Sequence, residues 1–255
     1  MPAATDNGKP VPAGYWKDAS GSSALIAHSN DWYPGDGITD LIARMPDGKL
    51  YVYQGDGNGR FDISRRTEIL LPPGAPDPAT FSQIVVVPDM NGDKMEDIFA
   101  TAGDTFWILT GYNGATISEA RQLSATSWTK RDIIDVRDIT GDGVPDLLFR
   151  DDTTPDRGLA LRRGKPGPNG GADINSLALA VNSADGKDLT YATTGWDSTT
   201  WPLLHGTPDV NNDGIPDFYA TRNDGTLHLI NGGRATATGS WRVEEDDWAT
   251  ARAIG

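Results

Sequence analysis

One short acidic turn recurs along this chain, and it constrains the fold more than any other feature. Its clearest copy, DVNNDGIPD at 209–217, is followed at once by the apolar run FYA. Alternate positions of this copy carry side-chain oxygens, at Asp209, Asn211, Asp213 and Asp217. Gly214 stands where the chain must turn most sharply, so we predict a positive φ there, which glycine adopts without strain. The pattern indicates a tight loop, rich in oxygen donors, that leads into a strand.

Three further copies of this turn lie upstream. DMNGDKMED occupies 89–97 and DITGDGVPD occupies 138–146, and each is followed by three apolar residues. A looser copy, DWYPGDGITD at 31–40, has one extra residue, which leaves its first ligand open. We call the four copies the first to fourth loops in chain order. Their last aspartates fall at 40, 97, 146 and 217, at intervals of 57, 49 and 71 residues, which predicts an array of similar supersecondary units.

The donors in these loops are those that a hard divalent cation prefers. Calcium takes about six to eight oxygens. Every loop offers side-chain oxygens, and the second, third and fourth loops each add one backbone carbonyl. A solvated acidic turn would explain one copy, but four copies favour metal binding. The predicted ligands, with Met95, Val144 and Ile215 acting through their carbonyls, are Asp31, Asp36, Asp40, Asp89, Asn91, Asp93, Met95, Asp97, Asp138, Thr140, Asp142, Val144, Asp146, Asp209, Asn211, Asp213, Ile215 and Asp217.

The charge balance excludes several classes of protein. The 255 residues include 22 Lys and Arg against 36 Asp and Glu, a formal net charge of −14, which repels phosphate backbones and argues against nucleic-acid binding. No run approaches the ~18 apolar residues of a membrane span, so we expect no membrane insertion. Cysteine is absent, and we expect bound cations and repeat stacking to take the stabilising role that disulfides have in many secreted domains.

Short runs with strand-like alternation flank every loop. Residues 84–87 enter the second loop, and residues 105–111 return after a hairpin. Each unit therefore has about four short strands with the loop between the first two, and such units suggest the blades of a propeller. We predict an all-β chain, a β-propeller of four-stranded blades with four recognisable repeats plus a partial fifth. Residues 1–14 are polar and rich in Pro and Gly, so we predict an N-terminal linker there and the propeller over 15–255.

Aromatic residues stand at similar places before the loops. Phe81, Trp128 and Trp201 precede their loops by 8, 10 and 8 residues, and we interpret them as packing anchors between blades. Trp248 holds the same place near the end of the sequence. Either Trp248–Gly255 is a closing strand that pairs with the N-terminal unit, or the chain is a piece of a longer multidomain propeller.

The loops and the Asp-Gly-x-Leu hairpins at 47–50 and 224–227 resemble the FG-GAP/VCBS repeat family, relatives of the integrin alpha-chain propeller. The resemblance covers most of 24–255. It implies calcium in the loops with a structural role, and an extracellular, secreted protein that serves as an adhesion module, a lectin or an accessory domain of a hydrolase. The sequence departs from the family pattern at Lys94, where glycine is usual, and at Thr140, which offers only a hydroxyl.

The sequence favours binding over catalysis. It contains no Gly-x-Ser-x-Gly, His-Glu-x-x-His or phosphate-loop motif. An insertion over roughly 165–200 is the longest departure from the repeat, and long loops on rigid scaffolds often carry binding sites. We predict a ligand surface at Tyr191, Trp196 and Asp197, with a buried Trp196 that closes the blade as the alternative.

We therefore expect a non-catalytic, calcium-binding propeller that binds a glycan, as a lectin does, or a cell-surface protein. Two alternatives stay open on the sequence alone. One is a propeller-type enzyme that acts on polysaccharides, since paired carboxylates meet in space and not in sequence. The other is a module for protein–protein interaction or assembly.

Overall fold

Short antiparallel strands make up nearly all of the regular structure. The computed structural model describes residues 4–17, 19–28, 31–32, 36–153, 158–244 and 248. Within these ranges the chain forms nineteen strands and one five-residue α-helix, α1 (Ile174–Ala178). Low helix content follows from the sequence, because turn residues interrupt the apolar periodicity every few positions.

Four sheets have four strands each, paired antiparallel in the order of a simple meander. Blade 1 contains β3 (Leu25–His28), β4 (Leu41–Arg44), β5 (Leu50–Tyr53) and β7 (Thr67–Glu68). Blade 2 contains β8 (Phe81–Val87), β9 (Asp97–Ala102), β10 (Thr105–Tyr112) and β11 (Ile117–Ser124). Blade 3 contains β12 (Arg131–Arg137), β13 (Asp146–Asp151), β14 (Leu159–Arg162) and β15 (Leu189–Ala192). Blade 4 contains β16 (Leu203–Thr207), β17 (Asp217–Thr221), β18 (Leu227–Asn231) and β19 (Gly239–Glu244).

The fifth sheet is built from the N-terminal region. Strand β1 (Ala4–Asp6) pairs antiparallel with β2 (Lys9–Pro10) and parallel with β6 (Phe61–Asp62). The prediction of a linker over 1–14 is therefore wrong for these residues. Sequence analysis missed these strands because both are short, and because β1 is only half-buried and β2 is exposed, so neither has an apolar face. The predicted C-terminal strand beyond Trp248 lies outside the described residues.

The five small sheets form a ring, which makes the fold a five-bladed β-propeller. The first strand of each four-stranded blade is innermost: β3 contacts β8, β8 contacts β12, and β12 contacts β16. Residues of all four strands line one central pocket, among them Leu25, Ile84, Asp132 and Leu204. The predicted all-β propeller of four-stranded blades is confirmed.

Apolar side chains fill the spaces between neighbouring sheets. Strand alternation sends Ile42 and Val52 of blade 1 toward blade 2, and sends Leu41 and Tyr53 toward the N-terminal sheet. Similar clusters join blade 2 to blade 3 and blade 3 to blade 4. Because every four-stranded blade is covered on a face by its neighbour, the stability of the ring depends on stacking.

Two of the predicted aromatic anchors are fully buried between blades. Phe81 and Trp128 are each 2 % exposed, and the Trp128 ring stacks on Phe106 at a centroid distance of 4.0 Å. Trp201 is only half-buried and stacks on Trp196 at 5.2 Å. The anchor interpretation is confirmed for the second and third units, and the fourth unit uses a pair of tryptophans instead.

Candidate metal loops

The four acidic loops connect the first two strands of each four-stranded blade, as predicted. The second, third and fourth loops follow one backbone path, since the fourth and sixth positions of each have positive φ. These residues are Gly92 (85°) and Lys94 (70°), Gly141 (77°) and Gly143 (84°), and Asn212 (62°) and Gly214 (82°). The predicted positive φ at Gly214 is confirmed, and Lys94 adopts the left-handed conformation that disfavours residues with a Cβ.

The first aspartate of each loop is held by the loop backbone. One of its oxygens, Oδ2, accepts from the amide at the sixth position: Lys94 to Asp89 at 2.8 Å, Gly143 to Asp138 at 2.8 Å, and Gly214 to Asp209 at 2.7 Å. In the first loop, Gly37 donates to Asp31 Oδ2 at 2.7 Å. This bond identifies Asp31 as the equivalent of the other first aspartates, so the extra residue lies between Asp31 and Gly37.

The aspartate at the fifth position, which is Asp36 in the longer first loop, has the same role in all four loops. We call it the fifth aspartate. Its Oδ1 accepts from the amide two residues later, a short Asx turn. The distances are 3.0 Å for Asp36 with Ile38, 2.8 Å for Asp93 with Met95, 3.0 Å for Asp142 with Val144 and 2.9 Å for Asp213 with Ile215. These side chains are exposed, so the loop presents them to solvent.

The last aspartate of each loop differs from the others because it is buried. It stands at the ninth position, or at the equivalent place in the longer first loop, and we call it the ninth aspartate. Asp40, Asp97, Asp146 and Asp217 are at most 2 % exposed. Their Oδ2 atoms accept from the amide of the second loop residue, at 3.0, 2.8, 3.2 and 2.9 Å in chain order. Each carboxylate thus closes its own loop onto the start of the blade's second strand.

The second oxygen of this aspartate ties the loop to the blade's third strand. Oδ1 accepts from the backbone amide of a glycine just after that strand: Gly55 to Asp40 at 3.1 Å, Gly164 to Asp146 at 3.1 Å, and Gly232 to Asp217 at 2.9 Å. A Cβ at these glycines would lie only 2.2, 2.2 and 1.9 Å from the carbonyl oxygen preceding the aspartate. Glycine is required there because the two backbones approach too closely for a side chain.

Sequence analysis missed this Asp–Gly bridge, although its signal was present. Gly55, Gly111, Gly164 and Gly232 all stand at the end of the third-strand run, one in each unit. We refer to the ninth aspartate together with its glycine as the Asp–Gly bridge. Its recurrence indicates a structural role for the ninth position that does not depend on a ligand.

Burial changes the acidity of two ninth aspartates. Desolvation raises the pKa of Asp97 to about 8, against the opposing effect of the hydrogen bond from the Met90 amide. Desolvation also raises the pKa of Asp146, while amide donors, among them Gly164, work in the other direction. A buried carboxylate without a nearby cation retains its proton more strongly, because the charged form is poorly solvated.

The oxygen-rich donor sets of the second and fourth loops fit calcium by their chemistry. Candidate side chains in the fourth loop are Asp209, Asn211, Asp213 and Asp217, and in the second loop Asp89, Asn91, Asp93 and Asp97. Among the described residues, no three His, Cys, Asp or Glu side chains converge on one point. The first aspartates instead accept bonds from their own loop. The metal-ligand assignments therefore stay predictions.

The predicted ligand surface is not assembled as the sequence suggested. Tyr191 is 2 % exposed, and its hydroxyl donates to the Gly233 carbonyl and accepts from the Gly233 amide, both at 2.9 Å. Its prediction as a surface residue is wrong, because β15 is the outer strand of blade 3 and Tyr191 faces blade 4. Trp196 is half-buried and packs on Phe218 and Trp201, so it is less covered than the alternative of a buried tryptophan that closes the blade.

Asp197 is exposed and organises a local turn. Its Oδ1 accepts from the Thr199 and Thr200 amides, both at 3.0 Å, and these bonds lower its pKa. A different tryptophan is open to solvent: Trp241 on β19 is 49 % exposed, beside Val243 at 52 %. The signal for Trp241 was its place outside the anchor positions, shared with Trp16 and Trp196.

The repeated strand–loop–strand units and the five-sheet ring define a β-propeller with acidic loops. Residues 89–149, from the second loop to β13, match the family model of the FG-GAP-like repeat. The recognised resemblance is thus confirmed for this part of the chain. No curated protein matches the sequence of this chain.

Two solved structures are similar to this chain at low sequence identity. A chain of the Photorhabdus luminescens Tc holotoxin pore is 12 % identical, with a TM-score of 0.44, over 92 % of this chain and 10 % of that one. BBS1N in complex with ARL6DN is 15 % identical, with a TM-score of 0.33, over 86 % of this chain and 59 % of that one. This chain therefore spans a tenth of the first relative's length and less than two thirds of the second's. In the described part of the chain, no helix has the length and apolarity needed to cross a bilayer.

Proposed function

We propose that this propeller is a non-catalytic, calcium-stabilised binding module that acts outside the cell, with a glycan as its partner. The observation that supports it best is the shared backbone path of the second and fourth loops. Both loops expose the fifth aspartate and bury the ninth. Extracellular modules bind calcium with Kd on the order of 10⁻⁴–10⁻³ M, and we assign the second and fourth loops to this class.

Calcium would act here by relieving repulsion between the carboxylates of one loop. An ion that binds only the folded chain stabilises it by RT ln(1 + [L]/Kd), about 2.7 kcal/mol per site at one hundred times Kd. For a chain of this size that corresponds to about 5 °C in melting temperature per site. We therefore expect the melting temperature to fall by several degrees when calcium is removed with a chelator.

The melting test needs a carboxylate control. Asp213→Asn should lose part of the calcium-dependent shift, because it removes an exposed donor of the fourth loop. Asp56→Asn is the matched control, since Asp56 forms a similar exposed turn with Asn58 and Arg60 outside the four loops. Equal melting curves with and without calcium would overturn the metal part of the proposal.

A glycan partner is supported by the exposed Trp241, since an aromatic face can stack on a sugar ring while the surrounding polar groups bind its hydroxyls. The test is a glycan array with and without calcium, comparing the wild type, Trp241→Ala and Val181→Ala. Val181 is 71 % exposed and controls for removal of an apolar surface group. Binding lost only with Trp241→Ala would support the proposal. Shortening of a polysaccharide, measured by reducing-end release, would favour the enzyme instead.

A further inference from the structure

The third loop contacts two arginines that come from outside it. Arg163, just after β14, donates from Nη2 to Asp142 Oδ2 at 2.9 Å, and its Nη1 lies 3.5 Å from Asp185 Oδ1. Arg234, which follows β18 in blade 4, donates from Nη1 to the Thr140 carbonyl at 2.6 Å. One guanidinium, that of Arg163, therefore binds the carboxylate at the fifth position of the loop. The other, that of Arg234, binds the backbone carbonyl at the third position.

The backbone of the third loop accommodates Arg234 closely. A Cβ placed on Gly141 would lie 1.3 Å from Arg234 Nη1, so the guanidinium fills the space that a side chain would take. The fourth loop has Asn212 at this position, with a Cβ of its own. The contact also crosses between blades, because Arg234 belongs to blade 4 and the third loop to blade 3.

The second and fourth loops have no such contact in the described part of the chain. Asp93 Oδ2 accepts only from Asn91 Nδ2 of its own loop, at 3.0 Å, and Asp213 accepts from the Ile215 amide. Among the described residues, Asp142 is the one aspartate of the second, third and fourth loops that forms an ion pair.

We propose that Arg163 and Arg234 replace the cation in the third loop, so that this loop does not bind calcium. A divalent ion there would have to share Asp142 with one guanidinium and approach a second, and like charges at such distances repel strongly. The third loop also has Thr140 where the second and fourth loops have Asn91 and Asn211. The hydroxyl of Thr140 is a weaker ligand for calcium than the amide oxygen of an asparagine. The inference rests on the proposed function in that the second and fourth loops bind calcium.

Calcium stoichiometry tests this inference directly. Asp93→Asn, Asp142→Asn and Asp213→Asn change the same exposed position in three loops, and equilibrium dialysis counts the ions bound per chain. We expect Asp93→Asn and Asp213→Asn each to lose one ion and Asp142→Asn to lose none. Loss of one ion by Asp142→Asn as well would overturn the inference.

Removal of the arginines should open the third loop to metal. We expect the double variant Arg163→Gln/Arg234→Gln to bind one more calcium than the wild type. The control Arg65→Gln/Arg222→Gln removes the same charge at exposed positions away from the loops, and it should leave the number unchanged. An unchanged number in both double variants would overturn the inference.

A measurement without metal separates this inference from the proposed function. In chelator, Arg163→Gln should lower the melting temperature by about 1–2 °C when Asp142 is present and by less in Asp142→Asn, where only the contact with Asp185 remains. Independent effects of the two substitutions would overturn the inference. Absence of calcium from the wild type would refute the proposed function alone, since the coupling between Arg163 and Asp142 does not require the ion.

Discussion

Replacement of Asp217 by asparagine tests the Asp–Gly bridge with the smallest change of shape. The side chain is 1 % exposed and accepts from the Gly232 and Val210 amides, both at 2.9 Å. Asparagine keeps one oxygen and turns an NH₂ group toward the other amide, so a buried donor meets a donor. Hydrogen bonds to a charged group contribute about 1.5–3 kcal/mol each, and we expect Asp217→Asn to cost about 3 kcal/mol.

That cost is large enough to measure by calorimetry. Unfolding entropy of about 2.1 cal/mol/K per residue gives about 0.5 kcal/mol/K for this chain, so 3 kcal/mol lowers the melting temperature by about 6 °C. The assay is differential scanning calorimetry in chelator, where metal ligation makes no contribution. Asp213→Asn is the control: it makes the same chemical change at an exposed position of the same loop and should shift the melt by less than about 2 °C. Equal shifts for the two variants would refute the structural role of the buried ninth position.

Three further predictions follow from the loop geometry. Lys94→Gly should raise stability by about 0.5–1 kcal/mol in urea unfolding, because Lys94 has φ of 70°; no gain would mean that the loop relaxes without strain. In chelator, stability should fall as pH rises from about 4 to about 8, since native Asp97, with a pKa of about 8, keeps a proton that the unfolded chain releases. Asp97→Asn should remove that slope, and an unchanged slope would contradict the assignment. Gly164→Ala should destabilise by about 1–3 kcal/mol through its clash with the Pro145 carbonyl. Gly143→Ala should cost less, since a Cβ there meets open space and only the positive φ of 84° opposes it; the reverse order would contradict the close approach.

The repeat could be predicted from sequence because its signals are local. In the second, third and fourth loops, aspartates at the first, fifth and ninth of nine positions accompany one loop path, and the apolar triplet that follows each loop begins the second strand. Phe81 and Trp128 could be placed between blades because each is a large aromatic residue that stands 8 or 10 residues before its loop. Contacts between residues close in sequence were therefore recovered well.

Contacts between distant residues were not recovered. The N-terminal sheet depends on the parallel pairing of Ala4 with Phe61, which no local pattern announces in so short a strand. Tyr191 was placed at the surface because its segment looks like an insertion, whereas it supplies β15 and faces blade 4. The approach of Arg234 to Thr140 spans 94 positions, and nothing in the sequence of either segment indicates it.

Within one loop, the exposed aspartates and the buried aspartate differ in how much their position depends on a bound cation. The first and fifth positions are exposed or half-buried. Apart from the Arg163–Asp142 pair of the third loop, the bonds described for them stay within the loop, so metal binding can reorganise them at little cost to the blade. The ninth position is buried and bonded to a second strand in at least three blades, so it holds the loop in place whether or not an ion is bound. A nine-residue acidic repeat therefore carries a structural signal and a ligand signal together. In the third loop, Arg163 contacts Asp142 and Arg234 contacts the Thr140 carbonyl, so copies of one motif differ in their surroundings, and ion binding has to be tested for each copy.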